Sequence, residues 1–122
     1  MDPTQAAPAP AGLPHPLDVA LDADLALRLA TGRPTGEVAD VLRERLRGYL
    51  ILLVDDADAY AAALAEGHPK DVAAGTVRHA RALARETGAG TDPAASLRLL
   101  AKAVHYTARY AATSRQARRQ GR

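Results

Sequence analysis

Cysteine, tryptophan and phenylalanine are all missing from this chain of 122 residues, and only 24 of its residues are leucine, valine or isoleucine. Without cysteine there is no disulfide framework, no thiolate zinc site and no cysteine nucleophile, and the composition suits a reducing cytoplasm. The shortage of β-branched and aromatic side chains excludes a β-sandwich, whose sheets draw on both. Serine occurs only as Ser96 and Ser114, neither within a G-x-S-x-G turn. The four histidines, His15, His68, His79 and His105, fall in separate segments with no HExxH. No glycine-rich loop joins a strand to a helix, so no nucleotide cradle is expected. Enzyme activity, a cofactor or a metal has no support in this inventory. The apolar run Tyr49–Val54 falls far short of the roughly 20 residues that span a bilayer. The first sixteen residues carry Asp2 and five prolines instead of an apolar h-region, so no signal peptide is expected.

What is abundant is alanine, with 29 residues. A core built from so much alanine must be thin and closely spaced, which suits helices. Proline and glycine divide the chain. Residues 1–16 hold five of the eight prolines and read as a disordered Pro/Ala-rich arm. Pro34, Pro69 and Pro93 each follow closely on glycine. Because glycine ends helices and proline is tolerated in their first turn, these marks predict four helices. Their spans are 18–31, 36–66, 71–87 and 93–114, with caps at Asp18, Thr35, Asp71 and either Thr91 or Asp92.

Apolar periodicity supports the division. The expected stripes are Leu17, Leu21, Leu25 and Leu29 in the first helix, and Leu42, Leu46, Tyr49, Leu53, Ala57, Tyr60 and Leu64 in the second. Val72, Thr76, Ala80, Leu83 and Thr87 follow in the third, with Val77 and Ala84 beside them. Leu97, Leu100, Val104, Thr107 and Ala111 form the fourth, flanked by Leu99 and Tyr110. The reading is an all-α protein: an antiparallel bundle over residues 17–114, with a basic tail at 115–122. Helix two, about 45 Å long, exceeds any short partner. Helix one is expected on its first half, and helices three and four on its second. Gly48, where the halves meet, marks a kink or a close crossing, or is simply tolerated.

Charge is split along the chain. Residues 1–66 carry 5 basic and 11 acidic groups, and residues 67–122 carry 11 basic and 3 acidic ones. Acidic and basic helices lying side by side would screen each other. The alternative is a basic face made of Arg78, Arg81 and Arg85 with Arg98, Lys102, His105 and Arg109, continued by Arg115, Arg118, Arg119 and Arg122. Such clusters attract phosphate backbones, yet no aromatics interleave here to stack bases and no short recognition helix is expected. The run Asp55-Asp56-Ala57-Asp58 looks like half of an aspartate-rich magnesium motif without its second half. Asp56, at the edge of the apolar stripe, needs a hydrogen bond or an ion pair, and His79 is a candidate partner. Around Ile51 helix two is apolar on all sides, so Leu50, Ile51 and Val54 form a candidate partner or homodimer surface.

The segment Leu42-Arg-Glu-Arg-Leu46-Arg-Gly48-Tyr-Leu-Ile-Leu-Leu53-Val54, with the late pair His105-Tyr106, resembles a family of small actinobacterial proteins of unknown function. That family is loosely labelled as natural product biosynthesis proteins. The likeness runs over about residues 20–112, with Tyr49 and Asp55 standing where the family pattern carries His and Pro. It implies a helical fold and a gene context, and no catalytic residues. The sequence therefore reads as a non-catalytic cytoplasmic interaction or accessory protein, whose partner is itself or another protein. The alternatives are a nucleic-acid-associated regulator and a small-ligand-binding bundle, whose cavity would be lined by Tyr49, Tyr60, Tyr106 or Tyr110.

Overall fold

The computed structural model describes residues 13–86 and 92–121. Four helices follow in order: α1 (Pro16–Gly32), α2 (Glu37–Ala63), α3 (His68–Arg85) and α4 (Pro93–Gln120). No strand occurs among the described residues, so the fold is all-α, as the alanine content and the stripes predict.

The helix starts depend on local chemistry that a search for capping side chains only partly finds. Asp92 does cap α4, its carboxylate accepting from the Ala95 N–H at 3.1 Å. At α1 the cap is His15, whose Nδ1 accepts from the Leu17 N–H at 3.0 Å, and Pro16 opens the helix. Asp18 instead sits in the first turn, where a carboxylate favours the helix dipole. Helices α2 and α3 start at Gly36 (φ +107°) and Gly67 (φ +143°). The chain turns there through a region that side-chain-bearing residues avoid, so neither Thr35 nor Asp71 is the cap. Helix α2 stops at Ala63, short of the expected 66, where Lys70 Nζ donates to the Ala62 and Leu64 carbonyls, each at 3.2 Å. The arm expected at residues 1–16 lies outside the described residues up to position 12. The alternative cap Thr91, the stripe member Thr87 and Arg122 also lie outside them.

The largest correction concerns α4. It continues through residues assigned to a basic tail and ends at Gln120. Arg115 Nη1 lies 3.1 Å and Arg118 Nη2 3.3 Å from the Asp56 carboxylate of α2, and Arg118 also donates to the buried Ser114 hydroxyl at 3.2 Å. Two arginines at helical spacing thus anchor the last turns to one half-buried acid. At 28 residues, about 42 Å, α4 is long enough to accompany α2 along its whole length. It does so in parallel: Arg43 of α2 reaches the carbonyl of Pro93 at one end, and Asp56 meets Arg115 at the other. Helices α1 and α3 run antiparallel to this pair, each on its own side. Helix α1 lies chiefly against α4 rather than on the first half of α2.

The core follows. Leu42, Leu46, Leu50 and Val54 of α2 pack with Leu97, Leu100, Ala101 and Val104 of α4. Val77, Ala80 and Leu83 close it from α3. On α1 the buried stripe is Val19, Ala23, Ala26 and Ala30. The leucine stripe expected there is wrong: Leu17 and Leu21 are 59% and 56% exposed, and Leu25 and Leu29 are half-buried at the edge. Small side chains let the α1 and α4 backbones approach closely, and Leu17 and Leu21 are turned outward.

Helix α2 is continuous through Gly48, and a Cβ there would meet no atom within 4 Å, so no close crossing requires the glycine. Gly48→Ala should raise stability by about 0.5–1 kcal/mol through the lower conformational freedom of alanine in the unfolded chain. A thermal melt shifted upward by a few degrees checks it.

Candidate functional site

The sequence points to two surfaces, and the structure redraws both. Of the three residues proposed for a partner surface on α2, Leu50 and Val54 are core residues, 0% and 6% exposed, while Ile51 is 59% exposed. That surface therefore shrinks to Ile51 with its neighbour Leu52. Leu50 and Val54 are covered because α4 starts beside the start of α2 and lays Leu97, Leu100 and Val104 along it.

The basic residues divide into two sets. Arg81 bridges to Asp55 (3.4 Å) and Asp58 (3.5 Å), and Arg115 and Arg118 hold Asp56. All three join the C-terminal half to acidic α2, as expected for charge-screened neighbours. The run Asp55-Asp56-Ala57-Asp58 is thereby spent on arginines. Asp56 takes the ion pair its position demands from α4, and His79 is exposed on α3. Arg78, Arg85, Arg98, Lys102, His105, Arg109 and Arg119 are exposed. Among the described residues none of them lies within ion-pair distance of a carboxylate. Arg109 rests over the Tyr106 ring, 5.9 Å from its centre.

Beside this ridge α1, α2 and α4 enclose an apolar groove of about 250 Å³. Its floor is Val19, Ala20, Ala23, Leu53, Ala108 and Ala112, and His105, Arg109 and Arg115 stand at its rim. No tyrosine lines it. Tyr60 and Tyr110 stack on each other with ring centres 4.6 Å apart, and Tyr106 borders two other hollows. Among the described residues no three His, Asp or Glu side chains come together as a metal site, and no helix is long and apolar enough to cross a membrane.

The surface that sequence reasoning missed lies on the outer side of α1 and the adjoining edge of α2. Leu17, Leu21 and the half-buried Leu25 follow one another at steps of four along α1, and the exposed Val38 and Val41 of α2 border the Leu25 end of this row. A hollow of about 230 Å³ opens between Leu25, Glu37, Val38, Val41, Leu42 and Arg45. The signal was present: Val19, Ala23, Ala26 and Ala30 recur at helical spacing as well as the leucines do, and only one stripe can face inward.

At the margin of this face Asp22 joins α1 to α2. Arg45 Nε donates to its carboxylate at 3.0 Å, and the Tyr49 hydroxyl donates to the same oxygen. Burial, then the hydrogen bond to Asp22 and the nearby negative charge, push the Tyr49 phenol from 10 up to about 12. A raised pKa in an acid means that the folded state holds its proton more tightly. The contribution to stability is therefore complete below pH 10 and fades as pH rises through about 12. In an ultraviolet titration Tyr49 should ionise in a late phase that Tyr49→Phe removes and Asp22→Asn moves to lower pH.

Residues 18–120 match a family of unknown function, DUF6415. The chain belongs to this family. The match spans all four helices, so the family pattern covers nearly the whole bundle. No curated protein and no solved structure matches the chain.

Proposed function

We propose that this member of DUF6415 is a non-catalytic helical interaction protein that works through the outer face of α1 and the edge of α2. The observation that carries this reading is the exposure of Leu17, Leu21, Val38 and Val41 on one side of a bundle whose core has few large apolar residues to spare. Contiguous apolar surface of this kind marks sites of association. The accessory role in natural product biosynthesis that the resemblance implies, and a cytoplasmic setting, belong to the same reading.

The test is binding of the full chain to itself and to the products of neighbouring genes. A double replacement, Leu17→Lys with Leu21→Lys, should lower the affinity at least tenfold while leaving the helical circular dichroism intact. Equal binding by this variant would overturn the reading. Tight binding to duplex DNA that falls steeply with salt, and is lost in Arg98→Glu with Lys102→Glu, would replace it with a nucleic-acid role for the free basic residues.

A second reading rests on the apolar groove. An apolar floor with His105, Arg109 and Arg115 at the rim suits an apolar molecule ending in an anionic group. Saturable binding of a fatty carboxylate, weakened by Arg109→Ala, would support it.

A further inference from the structure

Helix α1 has an unusual order of charge along its outer face. Asp18 stands at the N-terminal end and Arg28 at the C-terminal end, both exposed, with Leu17, Leu21 and Leu25 on the same side. Among the described residues neither Asp18 nor Arg28 has an ion-pair partner. We propose that the occupant of this face is a second copy of the chain, its α1 laid antiparallel across the first about a two-fold axis at the level of Ala23.

The spacing is what selects this occupant. Turning α1 over at Ala23 sets Asp18 opposite Arg28 of the other copy, Leu21 opposite Leu25 and Leu17 opposite Leu29, and the two-fold repeats each pair. An isologous interface must be complementary to itself, and α1 places an acid, two pairs of leucines and a base symmetrically about one point. A hetero-partner would place no such demand on the sequence.

The adjoining edge of α2 supplies a second, independent fit. Because α1 and α2 are antiparallel and joined by a short turn, Val38 and Val41 lie beside the C-terminal half of α1. That is the half that receives Leu17 of the other copy. The hollow of about 230 Å³ between Leu25, Val38, Val41 and Leu42 is open there to accept an aliphatic side chain. Like charges near the axis are turned away. Asp22 is taken by Arg45 and Tyr49, and Asp24 lines a hollow on the α4 side with Lys102 and His105. A face of one helix and one helix edge is at the small end of stable interfaces, so the pair forms and separates with concentration.

This inference rests on the interaction reading above, and charge exchange separates the two. Sedimentation of the full chain, from about 1 to about 500 µM, should show a monomer–dimer equilibrium. Asp18→Arg alone and Arg28→Asp alone each set like charges together twice, and each should weaken the dimer at least tenfold. Mixed in equal amounts, the two variants should form a heterodimer as tight as the wild-type pair, because each now supplies what the other lacks. Both positions are exposed, so circular dichroism should be unchanged. A wild type that stays monomeric throughout overturns the proposal, as does a dimer indifferent to either charge change. If Leu17→Lys with Leu21→Lys then still abolishes binding to another protein, the interaction reading survives without the second copy. If it does not, both fall.

Discussion

Leu50→Ala should cost about 2–5 kcal/mol of stability, while Ile51→Ala, one residue along, should change it by less than about 0.5 kcal/mol. Leu50 is fully enclosed between α2 and its neighbours, and Ile51 points to solvent. Truncating Leu50 loses the transfer energy of its methyl groups and leaves a hole that rigid neighbouring helices close only in part. At Ile51 there is no hole to make, and alanine is the better helix former. With total stability of about 5–15 kcal/mol in a domain of this kind, the first variant should melt many degrees lower. Urea titrations of the two variants check the contrast. Equal midpoints would mean that the rotation of α2 about its axis is wrong.

Arg43→Ala should cost about 2–4 kcal/mol. Its side chain is only 4% exposed, and Nη1 donates to Asp40 at 2.7 Å. Nη2 donates to the carbonyl of Pro34, in the turn before α2, and reaches that of Pro93, the first residue of α4, at 3.4 Å. One guanidinium therefore ties together the α1–α2 turn, the start of α2 and the start of α4. Alanine leaves the space and the carbonyls behind. Arg43→Lys keeps the charge but not the fork of donors, and should recover less than half of the loss. Amide exchange should quicken first at residues 34–38 and 93–97, whereas the α2–α3 end of the bundle should keep its protection.

The fold class, the number of helices and most of the α2 and α4 stripes were legible because punctuation by glycine and proline and the 3.6-residue period are local signals. In α3, by contrast, the buried row is Ala73, Val77, Ala80 and Leu83, and the expected Val72 is exposed. What failed was the choice between faces. In α1 two stripes had the right period, and the smaller one is buried because α4 comes close. In α2 Asp40 and Glu44 pair with Arg43 and Arg47 at the ordinary three-residue spacing, but the burial of Arg43 goes with the carbonyls of Pro34 and Pro93, which no pattern within the helix announces. The extent of α4 was missed for a similar reason. A run rich in arginine reads as a tail until Asp56 is found beside it. The basic ridge was visible as a helical stripe, but only the assembled bundle shows which arginines are engaged and which are free. The outer face of α1 was hidden behind the assumption that leucine goes inside.

The parallel pairing of α2 with α4 also sets an order of events. In a simple up-and-down bundle each helix finds its main partner next in the chain. Here the central seam joins residues about fifty to sixty positions apart, such as Arg43 with Pro93 and Asp56 with Arg115. Antiparallel α3 must bring the chain back before that seam closes. Closing such a loop is costly in chain entropy before any contact rewards it, and non-local contacts slow the search for the native state. The α2–α3 hairpin is then the natural first structure, with α4 zipping alongside α2 as the committing step. Mutations along the seam should slow folding, and those confined to α1 should mainly hasten unfolding.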